Sequence, residues 1–405
     1  MARLTVRRSK TMGALAVIAA GGLLLAGCSA GGGTTTSTAA PAGVSDEAAA
    51  VPEPTRPAAP EGELPAELQS ELQSTLESTM AEYSVPGAAV GVWIPGVGSW
   101  TTASGLADIA GNVPVTTEMS WPLRSVTKSY TVTLILQLVD EGKLSLDDTI
   151  DQYVEGVTDG DRITIRQLAD MSSGNADYTN DAFLADFSQD TTKIYTIDEL
   201  NGFMLGLPAQ FEPGTAKVYT NANTNLLGAV IEKVTGADYD QVLQERILDP
   251  LGQTGTHYIV DVADWTGPHP TGYQPGATGP EAQDQNPSIL GAAGAMFSTL
   301  DDSRVWADTL GDGTLLTPET QAERQEGAPL DAGPPYDRYA LGMGETAGWW
   351  GHNGEGVGFT AAVFHQSESG ASIVVFMNES DVDDAHPADQ TFRRLAEVLT
   401  AQGVL

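Results

Sequence analysis

Cysteine is all but missing from this chain of 405 residues, where Cys28 is the only one. The chain beyond it can form no internal disulfide and carries no thiol nucleophile. Lysine is scarce as well, confined to Lys10, Lys128, Lys143, Lys193, Lys217 and Lys233, and there are five histidines. Against 19 Lys+Arg stand 54 Asp+Glu, a formal net charge of −35. That imbalance argues against nucleic acid or an anionic membrane surface as a partner. A solvated, salt-tolerant extracellular surface accounts for it. The carboxylates form no Asp-x-Asp-x-Asp-Gly loop and no His-Glu-x-x-His occurs, so neither a metal nor another cofactor is expected.

The few basic residues crowd the start. Arg3, Arg7, Arg8 and Lys10 precede an apolar run from Met12 to Leu25, which is short for a membrane span and has the layout of a signal peptide. Its end, Leu25-Ala26-Gly27-Cys28, resembles a bacterial lipobox. That implies lipidation of Cys28 as the mature N-terminus, with residues 1–28 the lipoprotein signal. Residues 29–61 are Gly, Thr, Ala and Pro with few large apolar groups; they cannot bury enough surface to fold and read as a flexible linker. Residues 62–405 read as one domain, without internal repeats. The expected location is extracytoplasmic, on the outer face of the cell membrane, which is a partner only through the lipid anchor. Without modification of Cys28 the protein would be secreted.

Leu68, Leu72, Leu76 and Met80 recur at helical spacing. Residues 87–94 and 99–103, separated by Pro95-Gly96-Val97-Gly98, read as a strand hairpin. At the far end, 359–365 and 372–377 read as paired strands. Residues 388–402 read as a closing helix with Phe392, Leu395, Val398 and Leu399 on one face. The expected fold is α+β: one antiparallel sheet flanked by both terminal helices, plus a mostly helical lobe from the middle of the chain.

The chemistry centres on Ser125-Val126-Thr127-Lys128, leading into the apolar stretch 131–139. Residues three apart share a helix face, so the Ser125 hydroxyl and Lys128 amine can meet. Serine needs a base to become a nucleophile, and lysine serves only if burial or a nearby cation lowers its pKa. Ser125 at the first turn would also offer its own N–H as half of an oxyanion hole. The plain alternative is an exposed helical pair. Tyr-x-Asn occurs twice, at Tyr178–Asn180 and Tyr219–Asn221. Only the second runs into an amphipathic helix, from Leu226 to the glycine stop at Gly236. A tyrosine there could exchange protons with a leaving group. Finally, Gly348 to Phe359 holds five glycines in twelve residues around His352, a pattern of close backbone approach. His352 could bind an anionic or carbonyl group, and an N–H just beyond Gly354 could complete the oxyanion hole.

Taken in this order, Ser-x-x-Lys, Tyr-x-Asn and His-x-Gly resemble the serine β-lactamase and penicillin-binding-protein family, in its class C and D-alanyl-D-alanine carboxypeptidase branch. The phrases 168–174, 249–252 and 291–299 are similar to that family too, so the resemblance covers nearly all of 63–405. It implies Ser125 as acylated nucleophile, Lys128 as its base and Tyr219 as acid/base. It further implies that Asn221 binds the substrate amide or orients Lys128, that His352 and Gly354 line the opposite wall, and that the Ser125 and Glu355 N–H groups form the oxyanion hole. Three residues depart from the pattern: His352 where many members have lysine, Asn353 for threonine, and the charged Glu355 where small residues are common. These argue against an efficient antibiotic-destroying enzyme. The expectation is a serine hydrolase with D-alanyl-D-alanine carboxypeptidase-like action on cell-wall peptides. An esterase or β-lactamase of the same fold is the alternative, and a non-catalytic peptidoglycan- or β-lactam-binding module the alternative of another class. The one Gly-x-Ser-x-Gly-like stretch, Gly27 to Gly31 with Cys28-Ser29-Ala30 between, lies at the lipobox and tether, not on a strand-to-helix turn, which disfavours an α/β-hydrolase.

Overall fold

The structure, a computed structural model, describes residues 54–277, 279–283, 285–382 and 385–405. The expected signal, Cys28 and residues 29–53 of the expected linker lie outside them. Helix α1 (Ala66–Tyr83) buries the Leu68, Leu72, Leu76 and Met80 stripe and ends where Ser84 turns left-handed. Strands β1 (Gly87–Ile94) and β2 (Gly98–Asp108) form the expected hairpin, with a longer second strand, and β3 (Val113–Pro114) extends it. The middle of the chain contributes α2 (Thr127–Asp140), α3 (Asn221–Thr235) and α4 (Leu300–Asp312). It then returns to the sheet through β4 (Arg338–Tyr339), β5 (Gly344–Thr346), β6 (Trp349–Gly356), β7 (Phe359–Gln366) and β8 (Ala371–Met377), before α5 (Pro387–Ala401).

These strands make one antiparallel sheet ordered β3-β2-β1-β8-β7-β6-β5-β4. The first and last strands meet near its centre, where Ala88 of β1 lies opposite Met377 of β8. The pleat sorts side chains between two cores. Ile373, Val375 and Met377 pack with α1 and α5, while Val374 and Phe376 face the helical lobe. Within the lobe, α2 is buried on nearly every side, as expected of a helix with little polar face. Its polar groups find partners inside. Ser129 Oγ donates to Val126 O and accepts from Trp306 Nε1, and the Arg324 guanidinium donates to Thr133 Oγ1 and Ser129 O.

Three features differ from the sequence expectation. Helix α3 starts at Asn221, because the Thr220 hydroxyl accepts the Ala222 N–H as a cap. Short strands at 121–122, 257–258 and 296–298 form a small second sheet; two or three residues are too few to show a strand period. The end of the expected linker also lies against the domain. Arg56 donates to Gly252 O and to Asp302 Oδ1 at 2.9 Å, and Arg304 donates to Pro57 O at 3.0 Å. No helix among the described residues is long and apolar enough to cross a membrane.

Candidate active site

Ser125 stands in a single 3-10 turn, Arg124–Val126, that runs straight into α2. Lys128 follows on the first turn of the helix with its side chain fully buried. Its Nζ donates to Ser125 Oγ (3.0 Å), Asn221 Oδ1 (2.7 Å) and Ala293 O (2.9 Å). Burial lowers the Lys128 pKa to about 7, against the opposing pull of the Asp177 carboxylate. The amide oxygen and the carbonyl can only accept. On losing a proton the amine therefore keeps its two hydrogens for them and turns its lone pair to Ser125.

Of the two Tyr-x-Asn stretches, the structure brings the second to Ser125. Tyr219 lies with its ring 4.9 Å from Lys128 Nζ, and its hydroxyl is buried with no hydrogen-bond partner among the described residues. Burial pushes its pKa up, with the Ser125 side chain acting slightly the other way. The phenol is thus the favoured form and a resting phenolate is disfavoured. Tyr178, by contrast, is a fully buried strut donating to Ile289 O at 2.6 Å, and Asn180 caps the helix Asp181–Phe187.

The third element arrives on β6. A Cβ at position 354 would run into Leu123 O and lie 3.0 Å from Ser125 N, so only glycine lets β6 approach the Ser125 turn. The pleat then resolves the Glu355 departure. Glu355 pairs with Thr360, whose hydroxyl accepts the Ala388 N–H at the start of α5. Its side chain therefore lies on the α1/α5 face, where it accepts the Asp381 N–H at 3.0 Å. Its backbone stays beside Gly354, while its charge points away from Ser125.

His352 reaches the Tyr219 side of the site from β6. It is fully buried beside Tyr219, Tyr336 and Tyr339. Tyr336 Oη donates to Asn353 Oδ1 (2.7 Å) and accepts the Asn353 N–H (2.9 Å). That leaves His352 Nδ1–H to donate to the Asn353 carbonyl, with Nε2 accepting from Tyr339 Oη at 3.3 Å. Burial, with the Lys128 charge, lowers the His352 pKa to about 3. The ring is a neutral dipole and, of the two groups allowed by the sequence reading, suits a carbonyl better than an anion. Asn353 points to the other face of the sheet, toward Asp389 of α5.

Sequence reasoning missed Asp177, Ala293, Tyr336 and Tyr339. Asp177 accepts from Thr220 Oγ1 (2.7 Å) and the Asn221 N–H (2.9 Å), fixing the start of α3. Nothing beyond an Asp-Tyr-Thr turn marked it. Ala293 lies in the 291–299 phrase, whose resemblance was visible but whose carbonyl's task was not. Among the described residues no cluster of His, Cys, Asp and Glu could hold a metal.

A family model described as "Beta-lactamase" matches residues 72–397. A D-aminopeptidase of Brucella canis is 30% identical over 322 residues, covering 75% of this chain and 58% of that protein. This chain therefore spans well under two thirds of the length of that relative. Among solved structures, a D-stereospecific amidohydrolase from Streptomyces sp. aligns with a TM-score of 0.69 at 28% identity, covering 80% of this chain and 97% of that one. A D-amino acid amidase from Ochrobactrum anthropi SV3 aligns at 0.73 and 24% identity over 83% and 99%, a likeness of fold. With its matched region running from α1 to α5, the chain belongs to the beta-lactamase family.

Proposed function

We propose that the protein is a serine hydrolase that cleaves amides or peptides of D-amino acids through an acyl-Ser125 intermediate. The carrying observation is the buried Lys128, with a pKa near neutrality and in hydrogen-bond contact with Ser125 Oγ. Neutral Lys128 takes the Ser125 proton as Oγ adds to the substrate carbonyl. The Ser125 and Glu355 N–H groups receive the oxyanion. The protonated Tyr219 hydroxyl, beside both, gives its proton to the departing amine and recovers one from Lys128. Water then cleaves the ester by the reverse relay.

Charge supports the amine end of a D-amino acid as the recognised group. Besides Lys128, the charge that acts on both Lys128 and Tyr219 is the Asp177 carboxylate, and His352 is neutral. A substrate ammonium suits that balance better than a terminal carboxylate does. The D-alanyl-D-alanine carboxypeptidase reading wants a cation where His352 is buried, and so has less support, as has an esterase or β-lactamase. A non-catalytic binding module would need no base beside its serine. The similarity to a D-aminopeptidase and a D-stereospecific amidohydrolase supports the same choice. We further place the enzyme outside the cytoplasm, tethered through lipidated Cys28. Radiolabelled palmitate incorporated in a bacterial host and lost in Cys28→Ala tests this; no incorporation contradicts it.

The test of substrate class is turnover of D- and L-phenylalanine amide beside D-alanyl-D-alanine peptides and penicillin. Preference for the D-amide, abolished by Ser125→Ala, is expected. Turnover of the carboxypeptide or the β-lactam alone would overturn the substrate reading.

A further inference from the structure

Arg124, the residue before the nucleophile, has a conformation that the reaction steps above do not explain. Its backbone is left-handed at φ 51°, uncommon for a side chain of this size. The residue is 4% exposed, and burial lowers its pKa. Among the described residues no carboxylate acts on it, and a guanidinium buried in that way is costly to keep. Its hydrogen bonds show where it is employed. Nε donates to Gly356 O at 2.9 Å, Nη2 to Val357 O at 3.4 Å, and the group lies 5.5 Å from the Phe359 ring centroid.

Those carbonyls belong to the turn between β6 and β7, immediately after Glu355. That turn is itself strained: Val357, a β-branched residue, is left-handed at φ 49°, between Gly356 at φ 138° and Gly358 at φ 79°. Two strained segments, one carrying the Ser125 N–H and the other following the Glu355 N–H, are thus joined by one planar donor group. We propose that Arg124 is a positioning residue for the oxyanion hole, its guanidinium gripping the Gly356 and Val357 carbonyls so that the Ser125 and Glu355 N–H groups stay convergent. The inference rests on the acyl-Ser125 reading above. Lysine cannot replace it, because an ammonium is a point donor without the planar fork that spans two carbonyls.

The experiment compares wild type, Arg124→Lys and Arg124→Gly with p-nitrophenyl acetate, following kcat, KM and the infrared carbonyl stretch of the acetyl-enzyme. Glycine relieves the backbone strain and deletes the grip; lysine keeps the charge and carries the test if the glycine variant does not fold. In each folded variant kcat should fall about a hundredfold, the scale of losing one oxyanion donor, with KM within about twofold. The ester carbonyl should move to higher frequency as its hydrogen bonds weaken. Unchanged kcat and carbonyl frequency in a folded variant overturn the proposal, as does a kcat loss with an unshifted carbonyl. A wild-type chain that forms no acetyl-Ser125 overturns the hydrolase reading and this inference with it.

Discussion

At the scale of single residues, the decisive quantity is the proton on Lys128. A buried ammonium satisfied by three acceptors is a poor base, and a pKa of about 7 makes the neutral form available. Activity should rise with pH as Lys128 deprotonates, giving an acid limb in kcat/KM near 7. A profile flat between about pH 5.5 and 8.5 would contradict Lys128 as the base. The two tyrosines should separate cleanly. Tyr219→Phe removes a hydroxyl that lies near Ser125 and has no hydrogen-bond partner within bonding distance among the described residues, so we expect kcat to fall about 10²- to 10⁴-fold with little change in Tm. Tyr178→Phe removes a buried hydrogen bond, so it should cost about 1 kcal/mol of stability and leave kcat nearly intact. Equal activity losses would place the wrong tyrosine at the site.

At the scale of elements, β6 and its neighbours carry both function and a pH-dependent clasp. Gly354→Ala should lower kcat/KM about tenfold or more, because the new Cβ meets Leu123 O and the Ser125 turn; unimpaired turnover would mean that β6 does not approach the nucleophile so closely. Behind the site, His365 of β7 bonds Ser372 Oγ at 2.9 Å and lies between Asp308 and Asp312 of α4, with Arg304 on Asp308. The two carboxylates outweigh burial, raising its pKa from 6.5 to about 9. A histidine whose folded pKa is raised stabilises fully below 6.5, and that contribution fades as pH climbs to 9. Lys128, with its lowered pKa, works in the opposite direction from about 7 upward. The measurable quantity is therefore the stability difference between wild type and His365→Gln. It should shrink by at most about 3 kcal/mol between pH 6.5 and 9; a constant difference would contradict the clasp.

The same elements show what the sequence could and could not disclose. Ser125 and Lys128 were legible because a helix converts a spacing of three into a contact, and the strands read at 87–94 and 372–377 because their apolar runs are unmistakable. The direction of the Glu355 side chain was not legible, since it depends on strand register, where one residue decides the face. The neutrality of His352 comes from its burial beside residues such as Tyr336 and Tyr339, which only folding brings to it and which no periodic signal marks. Arg124 stands just before a motif that could be read, but its proposed role lies in a backbone angle and two carbonyls that residue types do not encode.

At the scale of the whole molecule, charge dominates. A net −35 makes the folded surface self-repelling, and salt screens that repulsion. Raising NaCl from about 10 mM to about 0.5 M should increase Tm by a few degrees, while a decrease would mean that exposed ion pairs such as Arg394–Glu82 outweigh the repulsion. The same charge would favour cationic substrates in approach to the site, in keeping with recognition of an amino-acid ammonium. The first and last strands meet near the centre of one sheet, so disturbance at α1 or α5 reaches the sheet that carries Gly354.

The central claim is that catalysis passes through a covalent acyl group on Ser125. Its most direct measurement is the intact mass of the protein after rapid quenching with a D-phenylalanine ester, followed by mapping of the modified peptide. We expect an added D-phenylalanyl mass on the peptide holding Ser125, absent from Ser125→Ala and accumulating more slowly below pH 6. Full turnover by Ser125→Ala, or an adduct on another residue, would contradict the account.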